Sequence, residues 1–349
     1  MVTDDQVKPG MLEVMSHSRL PESGGRPATT VASLPPLDLS LPPWPGSYER
    51  GNGWSLYVRR TDHARSWPAS QQRDTRDVAV YLHGLGGSST NWTDLGYQLA
   101  SWAHGIAVDL PGFGFSEPDE GFDLSMTSQA DRIARYVADL GAGPVYLVGN
   151  SMGGTVAILL AARRPELVRT LTLISPAVPD FRPDPWRISD PRVLLTPLPL
   201  IGKRMRRELA ALGPRERARQ IIELCCADPD GFPPNRFAEI VEEHTARMDL
   251  PWAMPSLTRS GVELLRGWLR IGRGSLRAAL RRVTAPTLVV WGTDDRVVSP
   301  RRAAPTVHAL QRGRLLMLRE SGHVAQMEHP TTVASATLAL WQAERTGRW

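Results

Sequence analysis

The sequence predicts an α/β fold, a mostly parallel, doubly wound sheet with a helical segment inserted into it. Three observations carry this. Short apolar runs closed by glycine recur along the chain, as buried parallel strands do. Helical faces lie between them. The alternation stops near residue 176 and resumes near residue 284, and the stretch between is helical and punctuated by proline.

Residues 54–60 partly alternate and read as the first strand, followed by a polar loop over 62–77. Val78–Leu82 is a compact apolar run ending at His83-Gly84, a buried strand. A helix is expected over 91–103, a strand over Ile106–Leu110 and a helix over 126–140, whose apolar face is Met126, Ile133, Tyr136, Val137 and Leu140. Val145–Val148 reads as a strand, 152–163 as a helix closed by Pro165, and Leu171–Ile174 as a strand. After the insertion come a strand at Thr287–Trp291, a helix at 300–311, a strand at Leu315–Leu318 and a last helix at 328–343. The expected organisation is an irregular N-terminal extension over 1–46, a core over 47–175 and 284–349, and a helical cap over 176–283. Pro35-Pro36 and Pro42-Pro43 punctuate the extension, and Trp44 is a candidate anchor for its end.

Composition excludes several classes. With 42% hydrophobic and 22% charged residues in a 349-residue chain, a disordered or collagen-like protein is ruled out. The two cysteines, Cys225 and Cys226, are adjacent, so a disulfide framework is not expected and a cytoplasmic location is. No apolar run reaches the length of a membrane span. The net charge is +5, and all but Lys8 and Lys203 of its 41 cations are arginine. They are scattered and mostly offset by acids, which argues against nucleic-acid binding.

The sharpest chemical signal is Gly149-Asn150-Ser151-Met152-Gly153, a G-x-S-x-G placed directly after a predicted strand and before a predicted helix. A serine on that tight turn is pushed into the open, and the next amide, Met152 N–H, points toward a reacting oxygen. Serine needs a base. Of eight histidines, His323 follows the last predicted strand in Ser321-Gly322-His323 and is the candidate. A carboxylate that orients the histidine is sought among Asp294 and Asp295, in a strand-to-helix loop, with Asp180 as a third possibility. His83-Gly84-Leu85-Gly86-Gly87 follows a strand, where a second oxyanion donor is expected, and Leu85 N–H is assigned to it beside Met152 N–H.

These motifs, with Asp109-Leu110-Pro111-Gly112-Phe113-Gly114-Phe115-Ser116, resemble the α/β-hydrolase fold family over about residues 47–345. The resemblance implies a Ser151–Asp295–His323 triad, with Asp295 favoured over Asp294, and a cap over the site. Relatives that open epoxides or remove halides carry aspartate where Ser151 stands. Carboxylesterase and monoacylglycerol-lipase-like relatives fit at least as well as ring-cleavage hydrolases. Ring-cleavage carbon–carbon hydrolases are the alternative, although Gly86-Gly87-Ser88-Ser89 departs from their usual Gly-Pro-Gly. A hydrolase-fold binding protein is the non-enzymatic rival.

The expected activity is hydrolysis of a small-molecule carboxylic ester with an apolar acyl or alcohol part, without metal or organic cofactor. Candidate pocket residues in the cap are Val193, Leu194, Leu195, Leu198, Leu200, Ile201, Trp252, Met254, Leu264, Leu265 and Trp268. Residues 203–219 carry Lys203, Arg204, Arg206, Arg207, Arg215, Arg217 and Arg219 against Glu208 and Glu216. Such a segment could contact an anionic membrane surface or an acidic acyl carrier.

Overall fold

The computed structural model describes residues 12–16, 34–61, 77–181 and 212–349. Among them, nine strands form one sheet: β1 (Leu12–Ser16), β2 (Gly46–Gly51), β3 (Trp54–Arg60), β4 (Val78–Leu82), β5 (His104–Val108), β6 (Val145–Asn150), β7 (Val168–Ile174), β8 (Thr287–Gly292) and β9 (Gly313–Leu318). Their spatial order is β1-β9-β8-β7-β6-β4-β5-β3-β2. From β5 to β9 all neighbours are parallel, and β3, β2 and β1 pair antiparallel at the margins.

The parallel strands are apolar throughout because both faces of the sheet are covered. The two-residue period sorts their side chains. Val80, Leu82, Leu147, Val289 and Trp291 enter one buried cluster. Ala79, Tyr81, Tyr146, Val148, Leu288 and Val290 enter the other. The first face carries helices α2 (Met126–Asp139) and α3 (Met152–Arg163), and the second carries α1 (Thr93–Leu99). Ser125 caps α2 by accepting from the Ser128 N–H at 3.2 Å.

Among the described residues of the cap, three helices follow: α4 (Pro214–Cys225), α5 (Pro234–Arg247) and α6 (Ala253–Trp268). The next helix, α7 (Leu276–Arg282), falls in the range expected for the cap, yet Leu276, Ala279 and Leu280 join the core cluster. Its apolar face is what the cap boundary missed. The chain ends in α8 (Ala303–Ala309), the short α9 (Ala325–Glu328) and α10 (Pro330–Arg345).

The N-terminal extension differs from the irregular segment expected. Leu12–Ser16 adds a strand to the β9 edge, Val14 opposite Leu316, where unpaired backbone groups would otherwise remain. Residues 34–45 lie across α1. Trp44 is buried and stacks on Tyr97 at 3.6 Å, and Gln98 Nε2 donates to Pro35 O at 3.3 Å. The same segment reaches the cap, where Asn235 Nδ2 donates to Leu39 O. The expected loop over 62–77 lies almost wholly outside the described residues, as do cap residues 182–211.

A buried ion pair joins cap to core beneath that segment. Arg236 on α5 donates to both carboxylate oxygens of Asp94 on α1, at 2.6 and 3.1 Å. Such a pair is held mainly by the cost of leaving either charge buried alone.

Candidate active site

Ser151 sits where β6 turns into α3, with φ 53° and ψ −117°. That left-handed φ is uncommon for a non-glycine residue and costs about 1–3 kcal/mol. The surroundings fix it. Ser151 N–H donates to Ile174 O at 3.0 Å, and its carbonyl accepts from Thr155 N–H at 3.1 Å and Ala177 N–H at 2.9 Å. The helix packs so closely on β4 that a Cβ at Gly153 would lie 2.2 Å from Leu82 O. The last glycine of the motif is therefore a steric requirement.

His323 lies on the loop after β9 and is 4% exposed. Its Nδ1 is 2.9 Å from Asp295 Oδ2. The other Asp295 oxygen accepts from the Val297 and Val298 amides, both at 2.9 Å. Asp295 can only accept, so the ring proton belongs on Nδ1, which leaves Nε2 able to take a proton. Asp294 is exposed, and its carboxylate accepts from Thr293 Oγ1. The His323 partner is thus Asp295, rather than Asp294 or Asp180.

Asn150, next to the serine, joins the two loops. Its Nδ2 donates to Ile174 O at 3.1 Å and to His323 O at 3.0 Å. The sequence reading left this residue without a role. A polar side chain inside the apolar strand-to-elbow run was the available signal.

The expected second oxyanion donor lies on the turn after β4. The turn is closed by Gly87 N–H to Gly84 O at 3.1 Å, and Leu85 is 40% exposed. A Cβ at Gly84 would stand 3.1 Å from Ser151 Cβ and 3.7 Å from Oγ, so this turn lies against the serine. Met152 is the first residue of α3, where an amide has no acceptor within its own helix. Met152 thus follows Ser151 directly, and Leu85 follows the glycine that lies against it. His83 is not a second base. It is fully buried, with Nδ1 2.7 Å from Gly84 O and Nε2 accepting from Leu110 N–H at 3.0 Å. Burial pushes its pKa down to about 4.

Asp109 anchors the same region. Its carboxylate accepts from Ser89 N–H at 2.6 Å and Phe115 N–H at 2.9 Å, and a Cβ at Gly114 would collide with it. Burial, then the charge of Glu243 on α5, pushes it up to about 6. Burial acts to raise the Glu243 carboxyl, but Arg247 and the hydroxyls of Ser88 and Thr90 hold it below the usual range. The cap helix therefore docks on the oxyanion turn through a buried carboxylate.

A cavity of about 300 Å³ opens beside that turn. Gly86, Phe113, Met248, Trp252 and Leu257 wall it, and Arg217, His244 and Arg247 also line it. Of the expected pocket residues, Trp252 and Met254 line the cavity. Leu264 is buried with the core, Leu265 is exposed, and Trp268 donates to Ala177 O at 3.2 Å. Val193, Leu194, Leu195, Leu198, Leu200 and Ile201 lie outside the described residues.

The elbow, the parallel sheet and the intervening cap define the alpha/beta hydrolase family. A model of that family matches residues 79–336, and the chain belongs to it. The chain is 24% identical over 262 residues to Lipase 3 of Moraxella sp. (strain TA144), covering 74% of this chain and 76% of the lipase. It is 28% identical over 262 residues to a 2-hydroxy-6-oxononadienedioate/2-hydroxy-6-oxononatrienedioate hydrolase of Burkholderia vietnamiensis, covering 72% and 83%. Its fold matches the crystal structure of a membrane phospholipase A with a TM-score of 0.67 at 23% identity, over 86% of each chain. Among the described residues, no helix is long and apolar enough to cross a membrane.

Proposed function

We propose that this hydrolase cleaves carboxylic esters carrying an apolar acyl or alcohol group, through Ser151, His323 and Asp295. The observation that carries the reading is the buried His323–Asp295 pair, tied through Asn150 to a serine in a strained elbow. His323 Nε2 takes the Ser151 proton as Oγ attacks the carbonyl carbon. The Leu85 and Met152 amides stabilise the oxyanion. The imidazolium protonates the leaving alcohol, and water activated by the same nitrogen releases the acid. The mostly apolar cavity beside the oxyanion turn suits the acyl chain.

The reading is tested on a p-nitrophenyl ester series. Turnover should rise from acetyl to medium-length acyl groups, because longer chains bury more of themselves in the cavity, each buried CH₂ adding about 0.8 kcal/mol. A flat profile would remove the cavity from substrate binding, and no turnover of any ester would remove the reading. Carbon–carbon hydrolysis is the second reading. It is favoured by Arg217 and Arg247 at the cavity wall, since a diketone acid brings a carboxylate. Turnover of such an acid in preference to every ester would establish it.

We further propose a cytoplasmic protein whose cap rests peripherally on an anionic membrane. On α6 and just beyond it, Val262, Leu265, Leu269 and Ile271 are exposed, with Arg259, Arg270 and Arg277 exposed around them. That pairing of aliphatic and cationic side chains is what an interfacial helix presents. Of the basic run first noted, Arg215 and Arg219 are exposed, while Lys203, Arg204, Arg206 and Arg207 lie outside the described residues. The protein should sediment with phosphatidylcholine vesicles containing phosphatidylserine, and Leu265→Asp should weaken this. Absence of sedimentation both with these vesicles and with phosphatidylcholine alone would end the membrane proposal.

A further inference from the structure

An α-helix leaves its last carbonyls without partners of its own. At the end of α4 those carbonyls meet the two loops of the candidate site. Glu223 O accepts from Arg296 Nη1 at 3.0 Å, and Arg296 directly follows Asp295. Cys225 O accepts from the backbone N–H of His323 at 2.6 Å. The approach is so close that a Cβ at Gly322 would lie 2.2 Å from Cys225 O. One end of one cap helix thus holds both the acid loop and the base loop.

Glu328, on α9, closes the joint from the other side. Its Oε2 accepts from Gly322 N–H at 2.5 Å and Ser321 Oγ at 3.3 Å, and its Oε1 accepts from Ala227 N–H at 2.7 Å. A carboxylate accepts at both oxygens, so a single side chain can bridge N–H groups from two chain segments. A glutamine of the same shape would turn an NH₂ against one of them. The Cys225 thiol belongs to the same joint as a neutral group, since burial, then Asp295 and Glu328, push it up to about 12.

We propose that Glu328 is a positioning residue that fastens His323 to the end of cap helix α4, so that the seating of the cap sets the placement of the base. The proposal rests on the assignment of Ser151 and His323 given above. Glu328 does not line the cavity, so its effect belongs to the chemical step and not to substrate binding. Small displacements of a base are costly there, a 1 Å error reaching about 10²-fold.

The test is Glu328→Gln, read as kcat and KM on the best p-nitrophenyl ester, with the rate and final extent of Ser151 labelling by a fluorophosphonate. The expected result is kcat lowered about tenfold, KM within about twofold, and slower labelling. The labelling rate constant counts only folded sites, so partial unfolding lowers the extent and leaves the rate readable. Should the variant not accumulate folded, Arg296→Ala, an exposed side chain on the same joint, is read in the same way, with a loss of about threefold expected. Wild-type kcat and labelling rate, or a change in KM alone, would overturn the proposal. Wild-type protein that neither hydrolyses esters nor labels would overturn the functional reading, and the role of Glu328 with it.

Discussion

Ser151→Ala is expected to lower ester turnover by about 10⁶-fold and leave the protein folded. The loss is that large because the oxyanion donors and the His323–Asp295 pair have nothing to act on once the attacking oxygen is gone. The fold should survive for a local reason. Every hydrogen bond that Ser151 makes among the described residues runs through its main chain, so removing the hydroxyl strands no buried partner. Alanine also enters the left-handed φ at a cost close to that of serine. Circular dichroism and thermal unfolding would match wild type while kcat/KM collapses. Turnover within about tenfold of wild type would move the nucleophile elsewhere.

Asp295→Asn should cost about 10⁴-fold in kcat, and Asp294→Asn no more than about twofold. An asparagine at 295 can keep its oxygen on the Val297 and Val298 amides, which directs its NH₂ at His323 Nδ1. The ring would then answer by carrying its proton on Nε2, the atom required as base. The volume of the site hardly changes, so the loss would report tautomer rather than packing. The Asp294 carboxylate accepts from Thr293 Oγ1, and both residues are exposed. If the two variants exchanged these effects, the acid would be Asp294. Steady-state kinetics on one ester separates the outcomes.

The contrast between these aspartates shows what the sequence could carry. Ser151 and His323 stood out as candidates because each stands in a local pattern, an elbow between strand and helix and a loop after the last strand. Asp294 and Asp295 share one loop, and what separates them is three-dimensional: Asp295 is 6% exposed and bonds His323 Nδ1, while Asp294 is exposed. Glu328 and Cys225 were illegible for another reason. Their joint brings together residues about a hundred positions apart, and one partner is a backbone carbonyl, which no side-chain pattern announces. Strand β5 was expected two residues late because His104-Gly105 reads as a turn, although Gly105 accommodates Thr61 closely there. Strand β2 was missed because Gly46–Gly51 is polar, as an exposed sheet edge can be. The helical insertion was legible as a break in rhythm. Its last helix was not separable from the core, since the periodicity of α7 says which face is apolar but not what it will meet.

The segment over residues 34–45 has a bearing on how substrate enters. It crosses from α1 to α5, stacked at Trp44 and bonded at Leu39, above the buried Arg236–Asp94 pair. Among the described residues, moving α4 and α5 away from the core would require breaking the contacts at those points and at the end of α4. Wide opening would be a sub-global unfolding event with its own free energy. Amide hydrogen exchange would register it as a single cooperative unit, the crossing segment and α5 losing protection together.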